Sequence, residues 1–196
     1  MKGAKQVTLD ESKHLIELLQ TNLITRRGVA VDGGAHVGAW TVVMTEAFES
    51  VYAFEPHPKA FEYLVENCGH LPNVHLRNAA LMDRSCGIDV YAPGRTTLTA
   101  TQVRYNDESL DTAVTIDQYD LEGCDFLKLD IEGAELMALK GAEETIKRFR
   151  PFVLVELNNM GGRFGVKDKD VRKWLINLGY AEVWARGVDA GFSYVG

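Results

Sequence analysis

Glycines and carboxylates recur in this chain where apolar runs end. Residues 31–38 read Val-Asp-Gly-Gly-Ala-His-Val-Gly, between an apolar run and a helix-like segment. Glycine has no Cβ, so a ligand can approach such a turn closely. A second apolar run ends in Glu55, and a later one ends in Asp130 followed by Glu132. Three strand ends that carry glycines and acids in this order predict a cofactor-binding site.

The spacing of the glycines indicates which cofactor the turn suits. A dinucleotide fingerprint has the spacing G-x-G-x-x-G, which brings a pyrophosphate to the N-terminus of a helix. Residues 33–38 lack this spacing, and Asp32 precedes them. An acid at that position would repel a pyrophosphate, but it could hold the amino group of an amino-acid moiety. Adenosine with a zwitterionic tail describes S-adenosylmethionine.

Glu55 lies 23 positions after Asp32, at the end of the second predicted strand. An acid at about this distance from a glycine turn can accept hydrogen bonds from both ribose hydroxyls. The alternative is that its charge only favours the dipole of the following helix.

The elements that must position these residues alternate between strands and helices. The predicted strands are Val29–Asp32, Val51–Glu55, Val74–Arg77, Phe126–Asp130 and Phe152–Leu157, with short terminal strands at Ala181–Ala185 and Phe192–Val195. The predicted helices are Ala39–Phe48, Pro58–Cys68, Ala134–Phe149 and Asp168–Leu178. This alternation is typical of a parallel sheet with crossover helices. In such sheets, ligands bind outside the carboxyl ends of the strands, where the strand order reverses. We therefore predict one α/β domain over residues 1–196.

Two stretches depart from the alternation. Residues 1–27 are predicted to form an N-terminal helical extension, in which Thr8-Leu9-Asp10-Glu11 could cap the helix. Residues 85–117 are predicted to form a strand-rich insertion, because residues 87–91 alternate apolar and polar side chains and residues 96–104 are rich in threonine.

The composition limits the classes of partner. The chain of 196 residues is 46% hydrophobic and carries a formal net charge of −7, which argues against binding to a nucleic-acid backbone. Cys68, Cys86 and Cys124 are widely spaced without a CxxC pair, so we predict neither a disulfide framework nor a zinc site. Neither an apolar run of about 18 residues nor the apolar stretch of a signal peptide is present. We expect a soluble, cytoplasmic protein that does not contact a membrane.

Several segments together resemble the FkbM-type family of S-adenosylmethionine-dependent methyltransferases. They read Asp-Gly-Gly-Ala-His-Val-Gly at 32–38, Ala-Phe-Glu-Pro-His-Pro at 53–58, Asn-Ala-Ala-Leu at 78–81 and Phe-Leu-Lys-Leu-Asp-Ile-Glu-Gly-Ala-Glu at 126–135, with shorter matches at 139–142 and 153–156. The resemblance covers about residues 29–157. It implies a Rossmann-like class I methyltransferase fold, a doubly wound and mostly parallel sheet with helices on both faces. It also implies methylation of hydroxyl groups on sugars, polyketides and related metabolites.

The resemblance implies a cofactor-binding set as well. Asp32, Gly34 and Gly38 would surround the methionine part, Glu55 the ribose, and Asn78 with Ala79 the adenine edge. The remaining members of the set are Ala35, His36, Pro56, His57 and Asp130. His36 and His57 depart from the family, which more often has Asn there. Other roles remain open: Asn78 as a turn former, the two histidines as exposed polar residues, and Lys128 as a half-buried residue that pairs with a neighbouring acid.

Methyl transfer from a sulfonium requires acceptor oxygen, methyl carbon and sulfur to be held in line. An alcohol must also lose its proton, so a base within hydrogen-bond reach helps. Asp130, at the end of the fourth strand, is the first candidate to position or deprotonate the acceptor, with Glu132 and Glu156 as second candidates. As a rival mechanism, these carboxylates could bind Mg²⁺, although the sequence offers no ligand spacing that assigns a metal. The alternative for Glu132 and Glu135 is that their negative charges only interact favourably with the helix dipole in the first turn of a helix.

Two polar, glycine-containing segments, 94–97 and 158–164, are candidates for recognising the acceptor. Arg95 or Arg163 could meet a carboxylate or phosphate, or both segments could be surface loops. We expect a small-molecule or glycan hydroxyl acceptor and no nucleic-acid partner. The acceptor could be an exposed end of a larger molecule, or another subunit of a homo-oligomer could complete the pocket. Alternative functions are methylation of a nitrogen or nucleic-acid acceptor, and a cofactor-binding module without activity.

Overall fold

The computed structural model describes residues 12–91 and 101–196. The strands are β1 (Val29–Gly33), β2 (Ser50–Phe54), β3 (Val74–Arg77), β4 (Ala80–Leu81), β5 (Cys86–Tyr91), β6 (Gln102–Tyr105), β7 (Asp111–Val114), β8 (Phe126–Leu129), β9 (Phe152–Glu156), β10 (Tyr180–Arg186) and β11 (Asp189–Tyr194). The α-helices are α1 (Lys13–Leu19), α2 (Ala39–Ala47), α3 (Pro58–Cys68), α4 (Glu135–Lys140), α5 (Glu143–Phe149) and α6 (Asp168–Asn177). Short 3₁₀ helices lie at Asp117–Tyr119 and Met160–Phe164.

The large sheet has the strand order β10-β11-β9-β8-β1-β2-β3. Strands β9, β8, β1, β2 and β3 are parallel, whereas β11 runs antiparallel to both β9 and β10. The order reverses between β1 and β8, so loops that leave these two strands diverge and open a crevice. The predicted fold class, a mostly parallel Rossmann-like sheet, is confirmed.

Alternation along the strands directs side chains to two different helical layers. Ala30 and Val51 pack with α1 and α2, whose core residues include Leu15 and Met44. Their strand neighbours point to the opposite face, where Val31 packs among residues of α4, α5 and α6. Because both faces are buried, the central strands are apolar almost throughout.

A smaller sheet, with the order β4-β7-β5-β6, packs on the second face. Residues from the predicted strand-rich stretch form β5, β6 and β7, and β4 precedes that stretch. Ile88 and Val103 of this sheet are buried in the same cluster as Leu127 and Leu129 of β8. The smaller sheet therefore stands beside the carboxyl end of the central strands.

The predicted helix Ala134–Phe149 is wrong as a single element. The chain forms α4 and α5 instead, and the break falls at Gly141. A Cβ at Gly141 would lie 2.0 Å from the carbonyl oxygen of Met82, so the helix ends where it meets the backbone that follows β4. The terminal strands are also longer than predicted, because β10 and β11 pair as a hairpin.

Two predicted segments, the cap at 8–11 and the loop at 94–97, lie outside the described residues. None of the helices over residues 12–91 and 101–196 has the length and apolarity needed to cross a membrane.

Candidate active site

A pocket opens at the carboxyl ends of β1, β2 and β8. The strand register places Gly33 beside both Phe54 and Leu129, so these three ends lie level with one another. The predicted site residues that line the pocket are Gly34, His36, Glu55, Pro56, Ala79, Asp130 and Glu132. Further lining residues, mostly apolar, are Phe54, Ala80, Leu81, Thr101, Val103, Ile131 and Ala134. Thr101 and Val103 were not among the predicted site residues, because nothing in the sequence shows that β6 docks here.

Two of the predicted glycines are required by their surroundings. Gly34 has φ of +77°, and a Cβ there would lie 1.9 Å from the carbonyl oxygen of Asp130. The turn after β1 therefore touches the backbone after β8 directly. Gly38 has φ of +99° and precedes α2, and a Cβ there would lie 2.5 Å from the Sγ atom of Cys68. Gly38 thus allows α2 to pack against α3, and neighbouring Ala35 is buried in that same small cluster.

Glu55 is almost fully buried at the pocket, with 3% of its surface exposed. Its Oε2 accepts a hydrogen bond from the backbone N–H of His36 at 2.9 Å, and its Oε1 accepts one from the N–H of His57 at 2.8 Å. Burial raises the pKa of Glu55 to about 7, although both hydrogen bonds oppose the rise. Each carboxylate oxygen keeps a further lone pair, so Glu55 can still accept from two hydroxyl groups.

Asp32 and Lys128 form a buried ion pair beneath the glycine turn. Lys128 Nζ donates to Asp32 Oδ1 at 2.9 Å, to the carbonyl oxygen of Gly33 at 3.2 Å and to that of Gly34 at 2.9 Å. Asp32 Oδ2 accepts from the hydroxyl of Thr41 at 2.7 Å. Burial lowers the pKa of Lys128, but the carboxylates of Asp32 and Asp130 outweigh it and raise the pKa overall. The predicted pairing of Lys128 with an acid is confirmed, and its burial is nearly complete rather than partial.

The position of Asp32 bears on its predicted role. Its side chain has no exposed surface and is bonded to Lys128 and Thr41. In this arrangement Asp32 supports the turn from behind. A direct contact with a cofactor amino group stays a prediction.

The three candidate catalytic acids lie close enough to interact electrostatically. Asp130 and Glu132 line the pocket, whereas Glu156 does not. Asp130 follows β8 with 45% of its side chain exposed, and its Oδ2 lies 4.0 Å from Lys128 Nζ. Glu156 ends β9 and accepts from Asn158 Nδ2 at 2.6 Å. Burial and repulsion by Asp130 and Glu132 raise the pKa of Glu156 to about 8. Burial and Asp130 also raise the pKa of Glu132. The cluster therefore retains a proton near neutral pH.

No group of three or more His, Cys, Asp or Glu side chains within residues 12–91 and 101–196 is arranged to hold a metal ion.

The turn after β8 is held by Glu135. Glu135 Oε1 accepts from the N–H groups of Ile131 at 3.2 Å and Gly133 at 3.0 Å. Burial raises the pKa of Glu135 to about 7, and the hydrogen bonds from Gly133 and Ile131 oppose it. Glu135 also lies in the first turn of α4, as the electrostatic alternative predicted.

His57 and Asn78 both support the segment that carries Glu55. His57 precedes α3 and its Nδ1 accepts from the N–H groups of Lys59 at 3.2 Å and Ala60 at 3.5 Å. Asn78 Nδ2 donates to the carbonyl oxygens of Glu55 at 2.8 Å and Pro56 at 3.1 Å. The two side chains thereby fix the backbone of this segment, and their predicted contacts with a cofactor stay predictions.

The segment 158–164 contacts the acidic edge from the far side. Besides its bond to Glu156, Asn158 accepts from the N–H of Met160 through Oδ1 at 3.1 Å. Arg163 donates to the carbonyl oxygens of Val103, Glu132 and Met160. The predicted contact of Arg163 with an acceptor anion has no support in these bonds. The other predicted arginine, Arg95, lies outside the described residues.

Comparison with known proteins gives a family and several relatives. The family model described as the methyltransferase FkbM domain matches residues 32–181. A hexuronic acid methyltransferase, AglP, of Haloferax volcanii is 29% identical over 150 residues, which are 74% of this chain and 59% of the relative. The chain therefore spans less than two thirds of that relative's length.

Solved structures share the fold at low identity. A methyltransferase FkbM from Methylobacillus flagellatus has a TM-score of 0.56 at 18% identity. The match covers 86% of this chain and 44% of the chain of that protein. An rRNA methylase from Streptococcus thermophilus has a TM-score of 0.59 at 12% identity. The match covers 94% of this chain and 96% of the methylase chain. At these identities the likeness shows the fold alone.

Proposed function

Because this chain belongs to the methyltransferase FkbM family, we propose that it transfers a methyl group from S-adenosylmethionine to a hydroxyl oxygen of a sugar, polyketide or related metabolite. The observation that carries the proposal is the convergence of the glycine turn, Glu55 and the three acids Asp130, Glu132 and Glu156 at the end of the central strands. The name of the curated relative, a hexuronic acid methyltransferase, supports an acceptor of the sugar class.

The pocket suits the parts of this cofactor. Gly34 of the glycine turn lines the pocket, and without a side chain it lets a methionine chain lie close to the backbone there. Glu55 has an acceptor for each ribose hydroxyl, and its neighbours Phe54, Ala79 and Ile131 offer apolar surface for an adenine ring. When bound, S-adenosylmethionine would supply an electrophilic methyl group beside Asp130.

The acids have distinct tasks in this proposal. Asp130, half-exposed at the pocket, accepts the hydrogen bond of the acceptor hydroxyl and orients its oxygen. As the oxygen attacks, its proton passes to a carboxylate oxygen of Asp130. Glu156, whose pKa is raised to about 8, is itself protonated at neutral pH and can donate a hydrogen bond to Asp130. Glu132 flanks the same edge and adds a further acceptor for sugar hydroxyls.

Binding and transfer are tested separately. Calorimetric titration with S-adenosylhomocysteine, with and without Mg²⁺, should give micromolar binding that Mg²⁺ leaves unchanged. Labelled S-adenosylmethionine is then offered with glucuronic acid, glucose or an RNA oligonucleotide. Transfer to a sugar supports the proposal. Transfer to RNA alone, or a folded protein without binding, contradicts it.

The variant Asp130→Asn separates an enzyme from a binding module. It should keep S-adenosylhomocysteine affinity within a few-fold and lose methyl transfer by about 10²-fold or more. The matched control is Asp120→Asn, because Asp120 is exposed, pairs with Arg148 and does not line the pocket. Unchanged transfer in Asp130→Asn would remove Asp130 from the mechanism.

A further inference from the structure

The turn that presents Asp130 and Glu132 is strained. Glu132 has φ of +55° and Gly133 has φ of +95°. A left-handed conformation is unfavourable for a residue with a Cβ, and it persists only where surrounding contacts fix it. A Cβ at Gly133 would lie 2.3 Å from the carbonyl carbon of Met160. The turn is therefore pressed against the segment 160–164.

Arg163 is the side chain that joins this segment to the turn. Its Nη1 donates to the carbonyl oxygens of Glu132 and, at 3.2 Å, of Met160. Its Nε donates to the carbonyl oxygen of Val103 in β6 at 3.0 Å. The bond to Glu132 falls on the peptide unit next to the strained φ. The bond to Val103 falls on a residue of the pocket wall.

The surroundings of Arg163 suit a fixed guanidinium rather than a ligand for an acceptor. Its carbon atom Cζ lies 4.8 Å from the centre of the Phe164 ring, and that ring meets Tyr105 of β6 edge-on at 5.9 Å. The remaining nitrogen, Nη2, is buried and has no hydrogen-bond partner among the described residues. A planar group with several donors in fixed directions can serve carbonyls on three segments at once, which an ammonium group does less well.

We propose that Arg163 is a positioning residue for methyl transfer, which holds the strained turn of Asp130 and Glu132 in register with strand β6. The side chain of Arg163 thereby keeps Asp130 and Glu132 at a constant distance from Val103 in the pocket wall. The effect on methyl transfer rests on the proposed function, whereas the effect on the turn does not.

The first test needs no ligand. Hydrogen–deuterium exchange is followed over residues 130–135 in the wild type, in Arg163→Ala and in Arg163→Lys. In Arg163→Ala the amides of Ile131 and Gly133 should exchange on the order of tenfold faster, while strands β8 and β9 keep their protection. Arg163→Lys should lie between the two. Arg172→Ala, which removes an exposed arginine paired with Glu182, is the matched control and should match the wild type.

The second test uses chemical rescue. Because Ile131 of the same turn lines the pocket, S-adenosylhomocysteine affinity should fall on the order of tenfold in Arg163→Ala. It should recover when guanidinium is added below denaturing concentrations, with sodium as the salt control. Unchanged exchange in the turn would overturn the inference. So would a loss of protection spread over the whole sheet without rescue; if Arg163→Ala does not fold, the same criteria apply to Arg163→Lys. Failure of the wild type to bind would contradict the proposed function, while the exchange result would still decide the role of Arg163.

Discussion

Replacing Lys128 by methionine is the sharpest test of the ion pair beneath the glycine turn. Lys128 is 3% exposed and Asp32 is 0% exposed, so the variant leaves a carboxylate in the core without its cationic partner, bonded to the hydroxyl of Thr41. Removing one member of a buried pair costs about 3–5 kcal/mol of unfolding free energy. For a chain of this size each kcal/mol lowers the melting temperature by about 2–4 °C, so a fall of roughly 6–20 °C is expected.

The double variant Asp32→Asn with Lys128→Met distinguishes charge from geometry. Because it removes both charges, it should be more stable than the sum of the single variants predicts, by about 2 kcal/mol. It should nevertheless bind S-adenosylhomocysteine weakly, since the carbonyls of Gly33 and Gly34 lose the donor that orients them.

Urea unfolding followed by circular dichroism, together with calorimetry, measures both quantities. Lys147→Met is the control: Lys147 pairs with Glu143 and Glu144 on the surface of α5, and exposed pairs contribute little. The reasoning is refuted if Lys128→Met is as stable as the wild type, or if the two single effects simply add. Full cofactor affinity in the double variant would show that the pair has no part in shaping the turn.

Further predictions concern single residues. Burial raises the pKa of Glu55 to about 7. If the ionised form of Glu55 binds the ribose, the affinity for S-adenosylhomocysteine, measured by calorimetry, should fall about tenfold per pH unit below pH 7. An affinity that does not change with pH, or the same slope in Glu55→Gln, would contradict this. Gly34→Ala places a Cβ 1.9 Å from a carbonyl oxygen and should lower the thermal midpoint sharply or prevent folding, whereas Gly162→Ala, at a site where the Cβ meets nothing within 4 Å, should melt like the wild type. The pKa of Glu135 rises from 4.5 to about 7 on folding, so protonated Glu135 stabilises the fold fully below pH 4.5, and this contribution is lost as the pH rises through 7. In urea unfolding at several pH values, the unfolding free energy of Glu135→Gln should change less with pH than that of the wild type. The same pH dependence in both proteins would exclude a raised pKa at Glu135.

The arrangement of the acids was predictable because parallel strands end at a common edge. The motif around Glu55 and that around Asp130 each follow an apolar run, and strand order places both ends beside the glycine turn. Such information is local to each motif. The alternation of strands and helices was predictable for the same reason, since each element carries its own apolar periodicity.

What escaped prediction depends on contacts between distant segments. The partner of Lys128 follows from the register of β1 against β8, which pairs Asp32 with Lys128 across 96 positions. Val103 reaches the pocket only because the smaller sheet docks on the larger one. The end of α4 at Gly141 is set by Met82, whereas the local sequence continues a helical pattern.

The strand order also determines when the pocket comes into existence during synthesis. Strands β1, β2 and β3 are made first and can pair with one another, but one side of β1 stays open until β8 follows about a hundred residues later. An open strand edge is a site for wrong pairing. All strands of the smaller sheet are made before β8 covers the open edge of β1. A nascent chain that stops before residue 130 thus carries the glycine turn and Glu55 without a cavity. Occupancy of the pocket therefore reports that β8 has paired with β1, so a bound cofactor stabilises only chains that have reached this stage.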